Sequence, residues 1–274
     1  MSISVKIAES VSKMAAHSAG TLNDDVLQRI EELIGSSFVK TMETGCGKST
    51  IFFSKSSQQH YCFALDDQGE LNSSVDFVRT NELFEAEKCQ FVFGPTQKTM
   101  PNFEFEEEFD VVFLDGPHGF PFPELEYFFV YPYIRNGGFL VIDDVHIPSI
   151  ARFADILVED EMFDLVETVL ATAVFRRTEA TTFSRYGDGW WQQRYNRLRV
   201  SPLRGDIHLS DGEVRNYFTS LNLDHRLMKG ELSARLGQPP EGRVSDQKVI
   251  TDEKETEPSA RVGLFNRLRS ALSG

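Results

Sequence analysis

The sequence alternates short apolar segments typical of β-strands with segments whose apolar residues recur at helical spacing. Five strand patterns come first: FVKTMET, HYCFALDD, CQFVFG, FDVVFLDG and FLVIDD. Two more, FDLVETVL and TAVFRRT, then follow each other across a short turn. Strands that alternate with helices form a parallel sheet that is covered on both faces. We therefore predict an α/β fold, a Rossmann-like, doubly wound and mostly parallel seven-stranded sheet with helices on both faces.

Acidic residues stand at the ends of four of the first five strands. The strand ends carry Glu43, Asp66, Asp115 and the pair Asp143-Asp144, and the remaining strand ends at Gly94. Ligands bind at the carboxyl ends of the strands in such sheets. Carboxylates that converge on one crevice repel each other unless a proton or a cation neutralises them. The pattern therefore predicts a ligand site with a cation or a shared proton.

The turn after the first strand, ETGCGKST, admits two interpretations. A turn with two glycines that opens a helix suits a phosphate or a nucleoside. As a phosphate loop it would use Gly47, Lys48 and Ser49, but Met42 stands where that motif requires its first glycine. As a nucleoside site it would bring the glycine backbone to the ligand. A nucleotide-dependent phosphotransferase that uses the GKS turn remains an alternative.

The nucleoside interpretation gains support from the next strand. Asp66 follows Gly45 by 21 positions, close to the spacing of about 20 at which an acid binds ribose hydroxyls. The pattern lacks the third glycine of the dinucleotide fingerprint, which weighs against NAD or FAD. Gly45, Gly47 and Asp66 therefore predict a mononucleoside-type ligand.

Four motifs in order, ETGCGKST, ALDD, FDVVFLDGPHG and GGFLVIDD, resemble the class I S-adenosylmethionine-dependent methyltransferases over about residues 20–180. The later two are similar to those of the small-molecule O-methyltransferases of the catechol and macrolide-sugar types. The resemblance implies methyl transfer from S-adenosylmethionine to a hydroxyl of a sugar or another small molecule. A non-catalytic methyltransferase-fold scaffold remains a second alternative.

The resemblance also implies roles for the matching residues. On the methyl-donor side these are Glu43, Gly45, Gly47, Ser49, Asp66 and Gly94. In the metal-dependent members, acids that match Asp115, Asp143 and Asp144 hold a divalent cation. Asp144 stands where the catechol enzymes have Asn, and the additional carboxylate suits Mg²⁺ or Ca²⁺.

Two histidines follow these acids and are candidates for the general base. A divalent ion could bind a substrate hydroxyl, lower its pKa and orient it towards the methyl carbon. Either His118 or His146 could then take the proton. His118 lies in the LDGPHG turn and is the stronger candidate, so we predict His118 and Asp115 as catalytic. The structural alternatives are that His118 braces its turn and that Asp144 caps the following helix.

The composition narrows the class of partner. The 274 residues carry a formal net charge of −14. A general nucleic-acid binder needs a positively charged surface, so the composition argues against that class of protein. Three cysteines without a CxxC pair predict free thiols in a reducing compartment. Since no secretory signal or membrane-length apolar run occurs, we predict a cytoplasmic protein without stable membrane insertion.

Three regions are predicted along the chain. A methyltransferase domain spans residues 1–200, a helical extension spans 201–236, and residues 237–274 form a disordered acidic linker with a short C-terminal amphipathic helix. Trp190 and Trp191 suit the core, stacking on a substrate, or the interface of a homodimer.

Overall fold

A computed structural model describes residues 2–14, 22–106, 108–189 and 193–198, all of which belong to a compact unit spanning residues 1–207. The predicted extension (201–236), the predicted linker and helix (237–274), and Trp190 and Trp191 lie outside the described residues. None of the described helices is long and apolar enough to cross a membrane. In chain order the elements are α1 (Ile3–Val11), α2 (Asp24–Ile34), β1 (Phe38–Thr44), α3 (Lys48–Ser56), β2 (Ser57–Ala64), α4 (Ser74–Thr80), β3 (Cys89–Phe93), α5 (Thr96–Thr99), β4 (Phe109–Leu114), α6 (Phe122–Val130), β5 (Ile134–Ile142), α7 (Pro148–Val158), β6 (Phe163–Val169), β7 (Thr172–Arg177) and α8 (Arg194–Leu198).

Seven strands form one sheet in the order β3-β2-β1-β4-β5-β7-β6. Strands β3, β2, β1, β4 and β5 run parallel to one another, and β7 runs antiparallel to both β5 and β6. The predicted mostly parallel, seven-stranded α/β fold is therefore confirmed. The chain reverses its direction of winding between β1 and β4, so the crevice outside the carboxyl ends of these two strands is the expected ligand position.

Two apolar clusters cover the two faces of the sheet. On one face, Phe52 and Phe53 of α3 pack with α1, α2 and α4. On the other face, Phe153 of α7 packs with α6 and with inward side chains of β4 and β5. Both faces are buried, because parallel strands connected by helices leave neither face to solvent. The strand ends that meet the crevice are thus held between two packed layers of helices.

Helix α1 is an element that the sequence analysis left out, because residues 1–20 are polar and only weakly amphipathic. Its first turn is stabilised from a distance: the backbone N–H groups of Ile3 and Ser4 donate to the Glu31 carboxylate at 2.9 and 2.7 Å. Amides at a helix start lack partners within the helix, so a carboxylate from α2 satisfies them. Local sequence cannot show this contact.

The segment Asn136-Gly137-Gly138, which follows an apolar pattern at helical spacing, is typical of a helix stop and turn, but this interpretation is wrong. Helix α6 already ends at Val130, followed by a 3₁₀ turn at Tyr131–Tyr133, and the two glycines lie inside β5. They form a bulge opposite Asp110, where β4 and β5 lose their regular register. Gly137 has φ +74°, which an L side chain rarely adopts, so the glycine serves the bulge.

Two predicted helices are shorter in the structure. The pattern NSSVDFVRTNELFEA is typical of a helix across its whole length, but α4 ends at Thr80. Asn81 ends it, because its side-chain oxygen accepts from the backbone N–H of Leu83 at 2.9 Å and its amide donates to Ser10 of α1 at 3.0 Å. The pattern IPSIARFADILVEDEMF likewise predicts a helix across its whole length, but α7 ends at Val158.

Candidate active site

The glycine turn lies where β1 and β4 come closest. Gly45 has φ +90°, and a Cβ atom there would lie 2.2 Å from the backbone carbonyl oxygen of Asp115. Its N–H donates to the carbonyl of Phe63 at 2.9 Å, which extends the pairing with β2. Glycine is therefore required for the two strand ends to approach each other. This packing reason adds to the ligand contact that the sequence predicted.

Lys48, the lysine of the GKS turn, is engaged by another helix. Its side chain is buried, with 6% exposure, and its Nζ lies 2.6 Å from Oδ1 of Asp24 in the first turn of α2. In addition, the Gly47 N–H donates to the Thr50 hydroxyl at 2.9 Å. A phosphate loop needs both its lysine and its amides for the phosphates. These contacts therefore argue against the phosphotransferase interpretation.

Glu43 lies wholly inside the protein. Its Oε1 is 3.1 Å from Nε2 of His60, whose Nδ1 is 2.9 Å from the Thr41 hydroxyl. Its Oε2 is buried and has no hydrogen-bond partner among the residues that the structure describes. The side chain therefore contacts the core histidine, and the structure does not bring it to the accessible surface of the crevice.

The two acids after β2 have different surroundings. Asp66 is exposed at the carboxyl edge of the sheet, and it accepts a hydrogen bond from a neighbouring exposed glutamine at 2.6 Å. Asp67 instead caps α4, accepting from Ser73 Oγ at 2.7 Å and from the N–H groups of Ser74 and Val75 at 2.7 and 3.1 Å. Asp66 is thus the acid that remains accessible to a ribose.

The remaining residues predicted for the donor side flank this edge. Gly94 follows β3 with φ +131°, and its N–H donates to the carbonyl of Ala64 at 2.9 Å. Ser49 is buried in the first turn of α3. The loops after β1, β2 and β3 thus lie side by side, as the parallel pairing of these strands requires.

Asp115, His118 and Asp144 converge beside the glycine turn. One possible ligand atom from each lies within 4.8 Å of the other two. Nε2 of His118 is 3.4 Å from Oδ1 of Asp115 and 3.0 Å from Oδ2 of Asp144. Asp144 has φ +56°, a conformation that Asp tolerates better than most residues. The chemistry of this set, two carboxylates and an imidazole, suits a divalent cation.

Asp143, predicted as a metal ligand, points to a different partner. Its Oδ1 accepts a hydrogen bond from the Thr172 hydroxyl at 2.5 Å, at the start of β7. The predicted trio is therefore only partly brought together, and His118 stands with Asp115 and Asp144 instead. His146 lies 3.5 Å from Asp144 but is 65% exposed, whereas His118 contacts both Asp115 and Asp144.

The pKa shifts agree with this crowding of charge. Burial raises the pKa of Asp115 to about 7, an effect that the hydrogen bond from His118 opposes and the nearby Asp143 and Asp144 reinforce. The hydrogen bond to Asp115 raises the pKa of His118 above its ordinary value. Burial likewise raises the pKa of Asp143. The crowded acids therefore favour a shared proton, which a bound cation would displace.

Glu126 is a buried acid that the sequence analysis did not single out. Its Oε2 accepts from the Thr44 hydroxyl and its Oε1 from the Thr96 hydroxyl, both at 2.7 Å. Burial raises its pKa to about 7. A signal was present in the sequence: Pro123, Glu126 and Val130 form the buried stripe of α6, and an acid in an apolar stripe is unusual.

Known proteins resemble this chain in sequence over part of its length and in fold. Residues 42–145 match the family model described as a methyltransferase domain. Among solved structures, cofactor-bound Rv0187 from MTB is 17% identical with a TM-score of 0.51, and the alignment covers 66% of this chain and 92% of that one. No curated protein sequence matches the chain significantly.

Two further solved structures are similar at lower scores. The O-methyltransferase TomG from Streptomyces achromogenes, involved in tomaymycin synthesis and solved with SAM, is 15% identical with a TM-score of 0.48, covering 65% of this chain and 91% of that one. The O-methyltransferase from Bacillus cereus in complex with SAH is 14% identical with a TM-score of 0.46, covering 64% and 90%. The family model over residues 42–145 and the seven-stranded fold together confirm the predicted resemblance to the class I, S-adenosylmethionine-dependent methyltransferases.

Proposed function

We propose that this protein transfers the methyl group of S-adenosylmethionine to a hydroxyl oxygen of a small molecule, with the aid of a divalent cation. The observation that carries the proposal is the convergence of Asp115, His118 and Asp144 beside the glycine turn of a methyltransferase domain. A donor site and a cation site in one crevice would place donor and acceptor together, and such positioning accounts for much of catalysis in bimolecular reactions.

The donor would lie across the carboxyl ends of β1 and β2. Asp66, exposed at the end of β2, would bind the ribose hydroxyls through its carboxylate. The backbone around Gly45 and Gly47 would contact the methionine side of the donor. Lys48 takes no part, because its ammonium group pairs with Asp24.

On the acceptor side, Asp115 and Asp144 would hold the cation, which would lower the pKa of the acceptor hydroxyl. His118 lies within 3.4 Å of both acids and would either accept the hydroxyl proton or complete the ligand set. The negative charge of the two acids favours protonated His118. Once that charge is neutralised, the pKa of His118 falls and the imidazole can act as a base.

The acceptor would contact the loop that carries His118. Phe120 in that loop is 74% exposed. An exposed ring beside a site is suited to stacking on a planar or apolar substrate. A sugar or another small molecule with a free hydroxyl next to an apolar surface fits this description.

Calorimetric titration of the full chain with S-adenosylmethionine and with ATP tests the donor. We expect saturable binding of the methyl donor that Asp66→Ala weakens at least tenfold, and no tight ATP binding. Tight ATP binding without donor binding would refute the proposal. A scaffold is the answer if the donor binds but a broad panel of hydroxyl acceptors, with Mg²⁺ and Mn²⁺ supplied, yields no methylated product.

The role of His118 can be separated from that of the acids. Mn²⁺ titration is expected to show binding to the wild-type protein and a loss of at least tenfold in Asp144→Asn. If His118 is the base, His118→Gln keeps the Mn²⁺ affinity and loses turnover. If it is a ligand, both fall together. Full turnover in excess EDTA would exclude the cation from the mechanism.

A further inference from the structure

The buried carboxylate of Glu126 joins three loops of the crevice. Thr44 is the last residue of β1, Thr96 begins α5 after β3, and both donate their hydroxyl protons to Glu126 at 2.7 Å. The third loop passes over the carboxylate at Gly116, where a Cβ atom would lie 2.4 Å from Oε1. Glu126 is 2% exposed, so it lies directly beneath the crevice surface.

The hydrogen bonds fix the carboxylate as an acceptor. The Thr44 hydroxyl oxygen itself accepts from the backbone N–H of Asp115 at 3.2 Å, so its single proton is directed to Glu126. The Thr96 hydroxyl donates to the other carboxylate oxygen. Both oxygens thus accept, which stabilises the ionised form of a carboxylate.

No lysine or arginine forms an ion pair with Glu126 among the residues that the structure describes. A buried charge without a counter-ion is costly. The two hydrogen bonds do not require the charge, since a glutamine could accept one and adapt to the other. Hydrogen bonding therefore explains why a polar side chain lies beneath the loops of the donor site, but it does not explain why that side chain is an acid.

We propose that Glu126 is a positioning residue that selects the cationic methyl donor over the neutral thioether product, acting through space from beneath Gly116. The proposal rests on the function proposed above. S-adenosylmethionine carries a sulfonium charge that S-adenosylhomocysteine lacks, whereas the two share the adenosine, the ammonium and the carboxylate. When Glu126 is ionised, its negative charge in a poorly solvated position attracts the first more than the second. Product release is favoured by the same preference.

The test compares the affinities of donor and product for the full chain at pH 8.5, where Glu126 is ionised. Calorimetry gives the ratio of dissociation constants, product over donor. In Glu126→Gln we expect this ratio to fall about tenfold, because donor affinity is lost and product affinity is kept. Glu126→Asp, which keeps the charge, should restore part of the ratio. Asp66→Asn is the matched control: it should weaken both ligands equally, since both contain the ribose.

Three outcomes overturn the inference. A Glu126→Gln protein that loses donor and product affinity by the same factor has lost structure only. An unchanged ratio means that the charge is not felt at the sulfonium. A wild-type protein that binds neither ligand refutes the proposed function itself, and the inference with it.

If Glu126→Gln does not fold, Thr96→Val gives a second test, because it removes one of the two hydrogen bonds that stabilise the charge. It should lower the ratio about threefold, and an unchanged ratio would count against the inference.

Discussion

Gly45→Ala should destabilise the protein through one defined contact. The new methyl group would lie 2.2 Å from the Asp115 carbonyl oxygen and 3.1 Å from its carbonyl carbon, so the ends of β1 and β4 must separate. The φ of +90° adds backbone strain of about 1–2 kcal/mol. Overpacking of this kind costs about 1–3 kcal/mol. We expect a loss of about 2–5 kcal/mol in the free energy of unfolding.

Gly35→Ala is the matched control. Gly35 has nearly the same φ, +89°, but a Cβ atom there would have nothing within 4 Å. It therefore carries the backbone strain without the contact. Urea denaturation of both variants separates the two costs, and Gly45→Ala should be less stable than Gly35→Ala by about 1–3 kcal/mol.

The two variants should also differ in ligand binding. Displacement of Asp115 in Gly45→Ala should weaken Mn²⁺ binding, whereas Gly35→Ala, at the end of α2, should leave it unchanged. If the two variants are equally destabilised and bind Mn²⁺ equally, the glycine is not required by the approach of the two strands, and the reasoning fails.

Three further predictions concern single side chains. The folded-state pKa of Glu126, about 7, lies above its ordinary value of 4.5. Its contribution to stability is therefore complete below pH 4.5 and is lost as the pH rises through 7, by up to about 3 kcal/mol in the ligand-free protein. Urea denaturation at pH 5 and pH 8.5 should show that Glu126→Gln lacks this pH-dependent part of the stability. Asp67→Ala should lower the free energy of unfolding by about 1–2 kcal/mol in urea denaturation and leave the donor dissociation constant within about threefold. Asp66→Ala should instead weaken donor binding and leave the stability unchanged. Equal losses of both variants in both assays would contradict the assignment of Asp67 to the helix cap and Asp66 to the ligand. Lys48→Met should leave donor affinity unchanged and lower stability by about 1 kcal/mol through the loss of the Asp24 pair, and abolished donor binding would show that the lysine belongs to the site.

The sheet was predictable because its strands are short, apolar and bounded by turn residues. The pattern locates the last residues of β1, β2, β4 and β5 to within a few positions. The place of Asp66, Asp115 and Asp144 in the crevice is predictable because each closely follows the end of a strand. Parallel pairing then places them at one edge without any knowledge of side-chain contacts.

The errors came from contacts between distant parts of the chain. Glu31 stabilises the first turn of α1 from another helix, and the bulge at Gly137 depends on the register with β4. Asp143 and Asp144 are adjacent and chemically identical, and only Thr172, which begins a later strand, separates their roles. Glu126 could have been found by its place in an apolar helical stripe.

The contact between Lys48 and Asp24 has a consequence for the smallest fragment that can fold. The match to the family model begins at residue 42, yet α2 anchors the start of α3 through this ion pair. Ile7 of α1 and Leu27 of α2 belong to the same apolar cluster as Phe52, and all three side chains are almost fully buried. A protein truncated before β1 would expose that surface and leave a buried lysine without its acid. The N-terminal helices are thus a structural part of the half of the sheet that carries the proposed donor site, and trimming the chain to the segment that matches the family model should yield an aggregating product.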